Sequence, residues 1–368
     1  MKILVALSGG VDSAVSAKIL KDAGYEIEGC YMKLHGRDDY HAKNIEKVQD
    51  VGNFLEIKTH ILDLCDDFKR EVFEPFLQTY KVGKTPNPCA LCNRTIKFGK
   101  FLDFARSKGC DKIATGHYAK IENNLIKSAV DLSKDQSYFL ANIEPRVIPN
   151  IVFPLGNMLK KDVKKFAASF PDLEKISKSS ESNEICFVEN TYIDVLREFY
   201  KTETPGIVRN LQGEIVGKHN GYMNFTVGKR RGFDVFGAHE PHYVVKIDAK
   251  KNEIVVGSKA DLDKNEFETQ NFNAFLNIDE ILKMDEIYVK IRYRSAKIAC
   301  KIEISLNDNL NNESLTDKNL NFENSDFLNN QDLKAKIILK TPANGVASGQ
   351  LAVFYDKSDH VIASGFIA

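Results

Sequence analysis

The run Ser8-Gly9-Gly10-Val11-Asp12-Ser13 combines a glycine pair with two hydroxyls and a carboxylate. Glycines let the backbone approach a ligand closely, and the N–H groups of the turn and of a following helix point at it. Such a turn is an anion cradle reinforced by the helix dipole, and the chemistry it fits is phosphate binding. It is not the GxxxxGK(S/T) loop, and no GxGxxG dinucleotide fingerprint is present. The glycine pair alone would equally serve an ordinary strand-to-helix turn with an N-cap serine; Asp12 and Ser13 in that context favour the phosphate site. A second group is Cys89-Ala90-Leu91-Cys92, the one cysteine pair with CxxC spacing. Cys30 and Cys300 fall in expected strands and read as core, while Cys65 and Cys110 lie beside helices without partners.

The elements that must position these residues are legible from periodicity. Ile3–Leu7 is a continuous apolar run of the kind buried in a parallel sheet. After the glycine turn, Val11, Ala14, Val15 and Ile19 recur at helical spacing, and Gly24 is placed to end that helix. Ile27–Met32, Thr59–Leu62 and Lys112–Thr115 read as further strands, with helices around Asn44–Phe54, Phe68–Tyr80 and Thr95–Lys108 between them. This alternation predicts a doubly wound α/β domain with its ligand site at the carboxyl ends of the strands. Beyond Pro205-Gly206 short strands with glycine turns take over, and an all-β stretch follows from Glu286. The expected organisation is residues 1–204 as the α/β domain, 205–270 as a small central β-rich domain and 271–368 as a β-barrel, with an asparagine-rich loop inserted at about 306–332.

The chain has 368 residues, 51 basic and 51 acidic side chains, 43% hydrophobic residues and 10% aromatic residues. That length favours two or three domains, and the composition excludes a wholly disordered chain. Zero net charge excludes a histone-like polycation but leaves local basic patches free to attract phosphate. No apolar run approaches a membrane span, Met1–Leu7 is too short for a signal peptide, and seven cysteines fit poorly with a secreted disulfide framework. The expected location is the cytoplasm, with no membrane partner and a monomeric state.

Ser8–Ser13 resembles the PP-loop signature of ATP pyrophosphatases, enzymes that adenylate a carbonyl or ureido oxygen and release pyrophosphate. Further segments narrow the likeness: Thr85-Pro86-Asn87-Pro88, Cys92–Phe98, Ala114–Ala119, Lys134–Leu140, Glu184-Ile185-Cys186-Phe187, Gly228–Gly232, Arg292-Tyr293-Arg294 and Gly349-Gln350. Together, in order, they resemble the bacterial tRNA-uridine 2-sulfurtransferases, the 2-thiouridylases of the wobble uridine. The resemblance spans the chain apart from the asparagine-rich insertion. It implies ATP bound on Ala6, Leu7, Ser8, Gly9, Gly10, Val11, Asp12 and Ser13, with Met32 near the adenine and Gly116 against the nucleotide, and Mg2+ on the phosphates. It implies Cys186 as the persulfide carrier and Cys92 as the thiol that liberates or resolves the sulfur, both suited to nucleophilic work. Asn93, Arg94 and Lys97 would lower the Cys92 pKa. The resemblance also implies tRNA contact through His117, Lys134, Asp135, Gln136, Arg292, Tyr293 and Gln350, with Asn87, Pro88 and Cys89 near the flipped base, and a sulfur-donor protein as partner.

One position departs from the family pattern, which has an aspartate where this chain has Cys89. Three readings stay open there: a bystander in the base pocket, an extra redox thiol, or a metal ligand. In the last, Cys89, Cys92 and Cys186 would hold an iron–sulfur cluster, or zinc. Basic stretches complete the picture: Lys81–Lys100 and Lys290–Lys301 contain no acid, and Lys160-Lys161, Lys164-Lys165 and Lys229-Arg230-Arg231 add more. Strand alternation predicts Lys290, Arg292 and Arg294 on one face, a phosphate-tracking surface. Two rival readings are another PP-loop adenylating ligase acting on a small molecule, and a tRNA-binding module without catalysis.

Overall fold

A computed structural model describes residues 1–177, 185–306 and 333–368. The expected asparagine-rich loop and Glu184 lie outside the described residues. The chain divides into two compact units, neither continuous in sequence. The first takes Met1–Phe73, Cys89–Ile185 and Ser358–Val361; the second takes Glu74–Pro88, Cys186–Lys357 and Ile362–Ala368.

The first unit is built on a five-stranded parallel sheet. Its strands are β1 (Lys2–Ala6), β2 (Glu26–Lys33), β3 (Thr59–Asp63), β4 (Lys112–Ala114) and β5 (Ile151–Val152). Their spatial order is β3-β2-β1-β4-β5, so the winding reverses beside β1. Alternation along β1 sends Ile3 and Val5 into a core with Val11, Ala14 and Val15 of helix α1 (Val11–Asp22) and Val48, Val51 and Leu55 of helix α2 (Asp38–Leu55). A later helix, Lys160–Ala168, joins the same core through Val163 and Ala167. The helix Phe101–Ser107 packs against β4.

The second unit holds two β structures. A five-stranded sheet runs in the order Phe233–Val235, Ile215–Asn220, Pro205–Arg209, Glu253–Gly257 and Tyr243–Asp248, around Val208, Phe225, Val244, Ile254 and Val256. Six strands close into a barrel: Asp263–Ala274, Leu333–Asn344, Ile298–Leu306, Ile287–Lys290, Leu351–Tyr355 and Val361–Ile367. The barrel takes in Asp263–Ala274 and therefore starts ahead of residue 271. Phe272 and Phe354 lie fully buried in its core, ring centroids 5.8 Å apart. No helix among the described residues is long and apolar enough to cross a membrane.

One expectation about strands is corrected here. The strand that begins at Ile287 stops at Lys290, and residues 291–295 form a turn in which the Ser295 hydroxyl accepts from the backbone N–H of Ile291 and Arg292. Lys290, Arg292 and Arg294 therefore do not share a strand face, because the hydroxyl-stabilised turn breaks the alternation that placed them together.

Phe272→Ala should lower stability by about 3–5 kcal/mol, since it removes a ring from a closed core that cannot collapse around it. Urea unfolding of the full chain measures this, and a loss under about 1 kcal/mol would contradict the packing described.

Candidate active site

β1 ends at Ala6 and β4 at Ala114, so the segments Leu7–Gly10 and Thr115–His117 both leave the sheet at the point where the winding reverses. Open parallel sheets bind ligands in that crevice. Helix α1 starts there with Gly10 as its N-cap and no side chain capping it. Its first N–H groups are left for a ligand, and the helix dipole adds positive potential. Gly9 has φ +78°, a left-handed conformation that sharpens the turn. A Cβ there would also meet Asn44 Oδ1 at 3.1 Å.

Hydroxyl groups tie the loop to the helix. Ser13 Oγ donates to Gly10 O at 2.9 Å and accepts from Ser8 N at 3.1 Å, and the two serine hydroxyls lie 3.3 Å apart. Gly116 closes the other side: a Cβ at this position would come within 2.9 Å of Asp12 C and Ser13 N. Only glycine lets the β4 loop touch the first turn of α1. Sequence reading names Ala6–Ser13, Met32 and Gly116 as one group, and the fold brings the loop and Gly116 together; Met32 sits near the carboxyl end of β2.

Two residues that the sequence reading did not assign to this site stand at its centre. Lys160 Nζ lies 2.7 Å from both oxygens of Asp12, and the Tyr118 hydroxyl donates to Asp12 Oδ1 at 2.8 Å. Lys160 reads in sequence as part of an exposed basic stretch, yet it is buried. No local signal could have revealed this, because its partner is 148 positions away.

Beside Met32 a relay of rings runs off β2. The Tyr31 hydroxyl and His41 Nδ1 are 2.7 Å apart, and His41 Nε2 is 2.7 Å from His35 O. Assigning the proton to Nε2 lets the tyrosine donate to Nδ1 and the histidine donate to the carbonyl. Burial, with His41 and Arg37 adding to it, pushes the His35 pKa down to about 4 from its ordinary 6.5. Burial likewise lowers His41.

Cys92 ends the helix Pro88–Cys92 and is buried, while Cys89 is partly exposed. The chain then continues as a π-helix, Asn93–Lys100, a rare form that concentrates at functional sites. This segment is anchored by Asn93 Nδ2 donating to Phe139 O at 2.8 Å and Arg94 Nη1 donating to Asn142 O at 2.9 Å. Arg94 also lies 3.7 Å from Glu144, and Lys100 lies 3.3 Å from Asp67. The fold thus supplies acids to a stretch that has none in sequence. In the second unit Cys186 is exposed, and the neighbouring Phe187 sets its ring edge-on to Phe76 with centroids 5.1 Å apart.

The residues expected to meet RNA are engaged in distinct ways. His117 is half-buried, 2.7 Å from Thr115 Oγ1, and burial followed by the Lys97 charge holds its pKa well below the usual value, so the ring is neutral at pH 7. Asp135 is buried and spends its oxygens on Ala129 N, Ser137 N and Ser137 Oγ. Gln136 Oε1 accepts from Tyr118 N, and Lys134 beside it is partly exposed. In the second unit Arg292 donates to Val227 O and Gly345 O, and Tyr293 lies under Lys290 Nζ at 5.8 Å. Gln350 Nε2 donates to Pro86 O at 2.8 Å and so holds the strap that leads to buried Asn87 and to Pro88.

Sheet order, uncapped helix and glycine contact define the class: a doubly wound α/β domain with an uncapped helix start at its switch point. Family models described as tRNA methyl transferase HUP domain, tRNA methyl transferase PRC-barrel domain and Aminomethyltransferase beta-barrel domain match residues 1–190, 193–258 and 323–367. The tRNA-specific 2-thiouridylase MnmA of Campylobacter lari is 57% identical over 100% of both chains. The protein of that name from Nitratiruptor is 44% identical over 100% of this chain and 99% of its own. The solved NMN synthetase of Francisella tularensis is 16% identical over 49% of this chain and 66% of its own, with a TM-score of 0.33. The chain belongs to the tRNA-specific 2-thiouridylase family.

Gly116→Val should abolish nucleotide binding while leaving the far β structures folded, because its side chain would strike the first turn of α1. Calorimetric titration with ATP and circular dichroism read the two effects; undiminished affinity would refute the contact. A second outcome concerns pH. A histidine that titrates near 6.5 when unfolded and near 4 when folded makes the unfolded state bind more protons between these values. Stability therefore falls as pH drops through that window, and His35→Gln should flatten the fall in denaturant melts.

Proposed function

We propose that this chain is an ATP-dependent tRNA-uridine 2-sulfurtransferase. The observation that carries the reading is 57% identity, over the whole of both chains, with a relative named tRNA-specific 2-thiouridylase. The geometry of the first unit supports it, since an uncapped helix start facing a glycine at a switch point suits a polyphosphate. Residues Ala6–Ser13 hold the triphosphate, with Met32 and Gly116 bordering the nucleotide. A magnesium ion, when bound, would supply counter-charge to the phosphates held by this loop.

In the proposed reaction the uridine C2 oxygen attacks the α-phosphate and pyrophosphate departs, leaving that oxygen as part of an adenylate. Helix α1 and the loop amides stabilise the charge that develops on the phosphates. The outer sulfur of a Cys186 persulfide attacks C2, and AMP leaves with the oxygen. Cys92 then attacks the Cys186 sulfur, releasing the thiolated base and forming a Cys92–Cys186 disulfide that a thiol reductant reopens. Alternatively Cys92 attacks first and frees sulfide to do the same chemistry. Cys186 is exposed, as a thiol loaded by a donor protein must be, and Cys92 is buried, as suits a thiol protected from the solvent. Among the described residues no three His, Cys, Asp or Glu side chains group as a metal site, and no step here is routed through a cluster.

The wobble base reaches this site only by leaving the anticodon stack. Asn87, Pro88 and Cys89 border it in this reading, and His117, Lys134, Gln136, Arg292, Tyr293 and Gln350 line the path of the RNA. A neutral His117 would act by stacking and hydrogen bonding, not by charge. Asp135, Arg292 and Gln350 act through the segments they hold.

Mass spectrometry of tRNA nucleosides after incubation with ATP, magnesium and a persulfide donor tests the proposal. The expected product is a uridine with sulfur for oxygen at C2; a uridine left unchanged would overturn the reading. Cys186→Ser should end thiolation while tRNA-dependent pyrophosphate release continues. Full thiolation by that variant would remove Cys186 from the sulfur transfer, whereas full ATP turnover with no thiolated product, in wild type as in the variant, would favour an adenylating ligase that needs no thiol.

A further inference from the structure

Lys160 occupies a position that helix physics disfavours. It is the first residue of the helix Lys160–Ala168, where a cation opposes the dipole. Its side chain is only 10% exposed, and burial of an ammonium is costly unless it is paired. The local helix gains nothing from it: the dipole is answered instead by Asp131, whose Oδ2 accepts from the Lys160 backbone N–H at 2.8 Å. Asp131 is held below the usual carboxylate range, chiefly by that bond.

The ammonium instead spans both oxygens of Asp12, at 2.7 Å each, and lies 5.7 Å from the centre of the Tyr118 ring, whose hydroxyl holds the same carboxylate. Asp12 sits in the first turn of α1, beside the N–H groups that form the cradle. A carboxylate there suits the helix dipole but repels an incoming polyphosphate, since like charges a few ångströms apart in a low-dielectric crevice interact strongly. One core holds the pair in register: Val163 and Ala167 of the Lys160 helix pack with Val11, Ala14 and Val15 of α1.

We propose that Lys160 is a positioning residue for nucleotide binding: it neutralises Asp12 and, with Tyr118, fixes the carboxylate against α1, so that the cradle receives a polyphosphate without facing a free negative charge. The inference rests on the nucleotide reading above and adds a residue to it. Lys160 acts through Asp12, and its effect is therefore conditional on that carboxylate.

Calorimetric titration of magnesium–ATP into the full chain tests this with Lys160→Met, Asp12→Asn, the double variant and Lys160→Arg. Lys160→Met should weaken binding by roughly tenfold, which corresponds to about 1.4 kcal/mol. The double variant should bind within about threefold of Asp12→Asn alone, as expected when one group works through the other. Lys160→Arg should retain most of the affinity. A double variant roughly tenfold weaker than Asp12→Asn would overturn the proposal and assign Lys160 a direct contact with phosphate. Wild-type affinity in Lys160→Met would overturn it as well. If Lys160→Met fails to fold with its carboxylate unpaired, the comparison of the double variant with Asp12→Asn still decides. A wild-type chain that binds no ATP would instead refute the nucleotide reading and carry this inference down with it.

Discussion

The first turn of α1 lies against Gly116, and the chemistry of the first unit depends on that contact. A Cβ at position 116 would lie 2.9 Å from two backbone atoms of Asp12 and Ser13, so the two loops close on each other only through bare backbone. The contact exists because β1 and β4 are neighbours at the reversal of the sheet. Their carboxyl ends then open side by side, with an uncapped helix start on one and a glycine on the other. Moving either strand one place in the sheet would separate the halves of the cradle. The Lys160 helix completes the arrangement by bringing an ammonium to the carboxylate that heads α1.

The thiols are placed on a different principle. Cys92 is fixed by a helix that passes directly into a π-segment, and that segment is bonded to the Phe139–Asn142 backbone by Asn93 and Arg94. A buried thiol so held has little freedom. Cys186 is exposed in the second unit. The two cysteines thus differ in exposure, one thiol open to solvent and one sheltered from it, and thiol reactivity depends on that difference.

Charge illustrates how far folding rewrites a sequence pattern. Lys81–Lys100 contains no acid, yet Arg94 lies near Glu144 and Lys100 near Asp67. Lys160 belongs to a basic run and ends up buried against Asp12. Arg292 spends its guanidinium on two carbonyl groups of its own unit, and Gln350 spends its amide on the Thr85–Pro86 backbone. Residues that look like a nucleic-acid surface in one dimension divide into those that face outward, such as Arg230, Arg231 and Arg294, and those that brace a loop. The distinction rests on desolvation: a buried cation must find a partner, and the partner is wherever the fold has put one.

The sequence by itself determined the elements and the loop chemistry. Apolar runs set β1 to β4, the 3.6-residue repeat set α1, and the glycine pair with Asp12 and Ser13 marked the cradle, because each of these signals is local and read within a few residues. It also marked the later β structures, whose short alternating runs survive as strands of a sheet and a six-stranded barrel. Tertiary structure alone decided the meeting of Gly116 with α1, the pairing of Lys160 with Asp12 across 148 positions, and the turn that takes Arg292 out of its expected strand. Those are contacts between segments whose separation in sequence carries no information about their distance in space. Only the order of strands in the sheet, and the packing of helices upon it, converts one into the other.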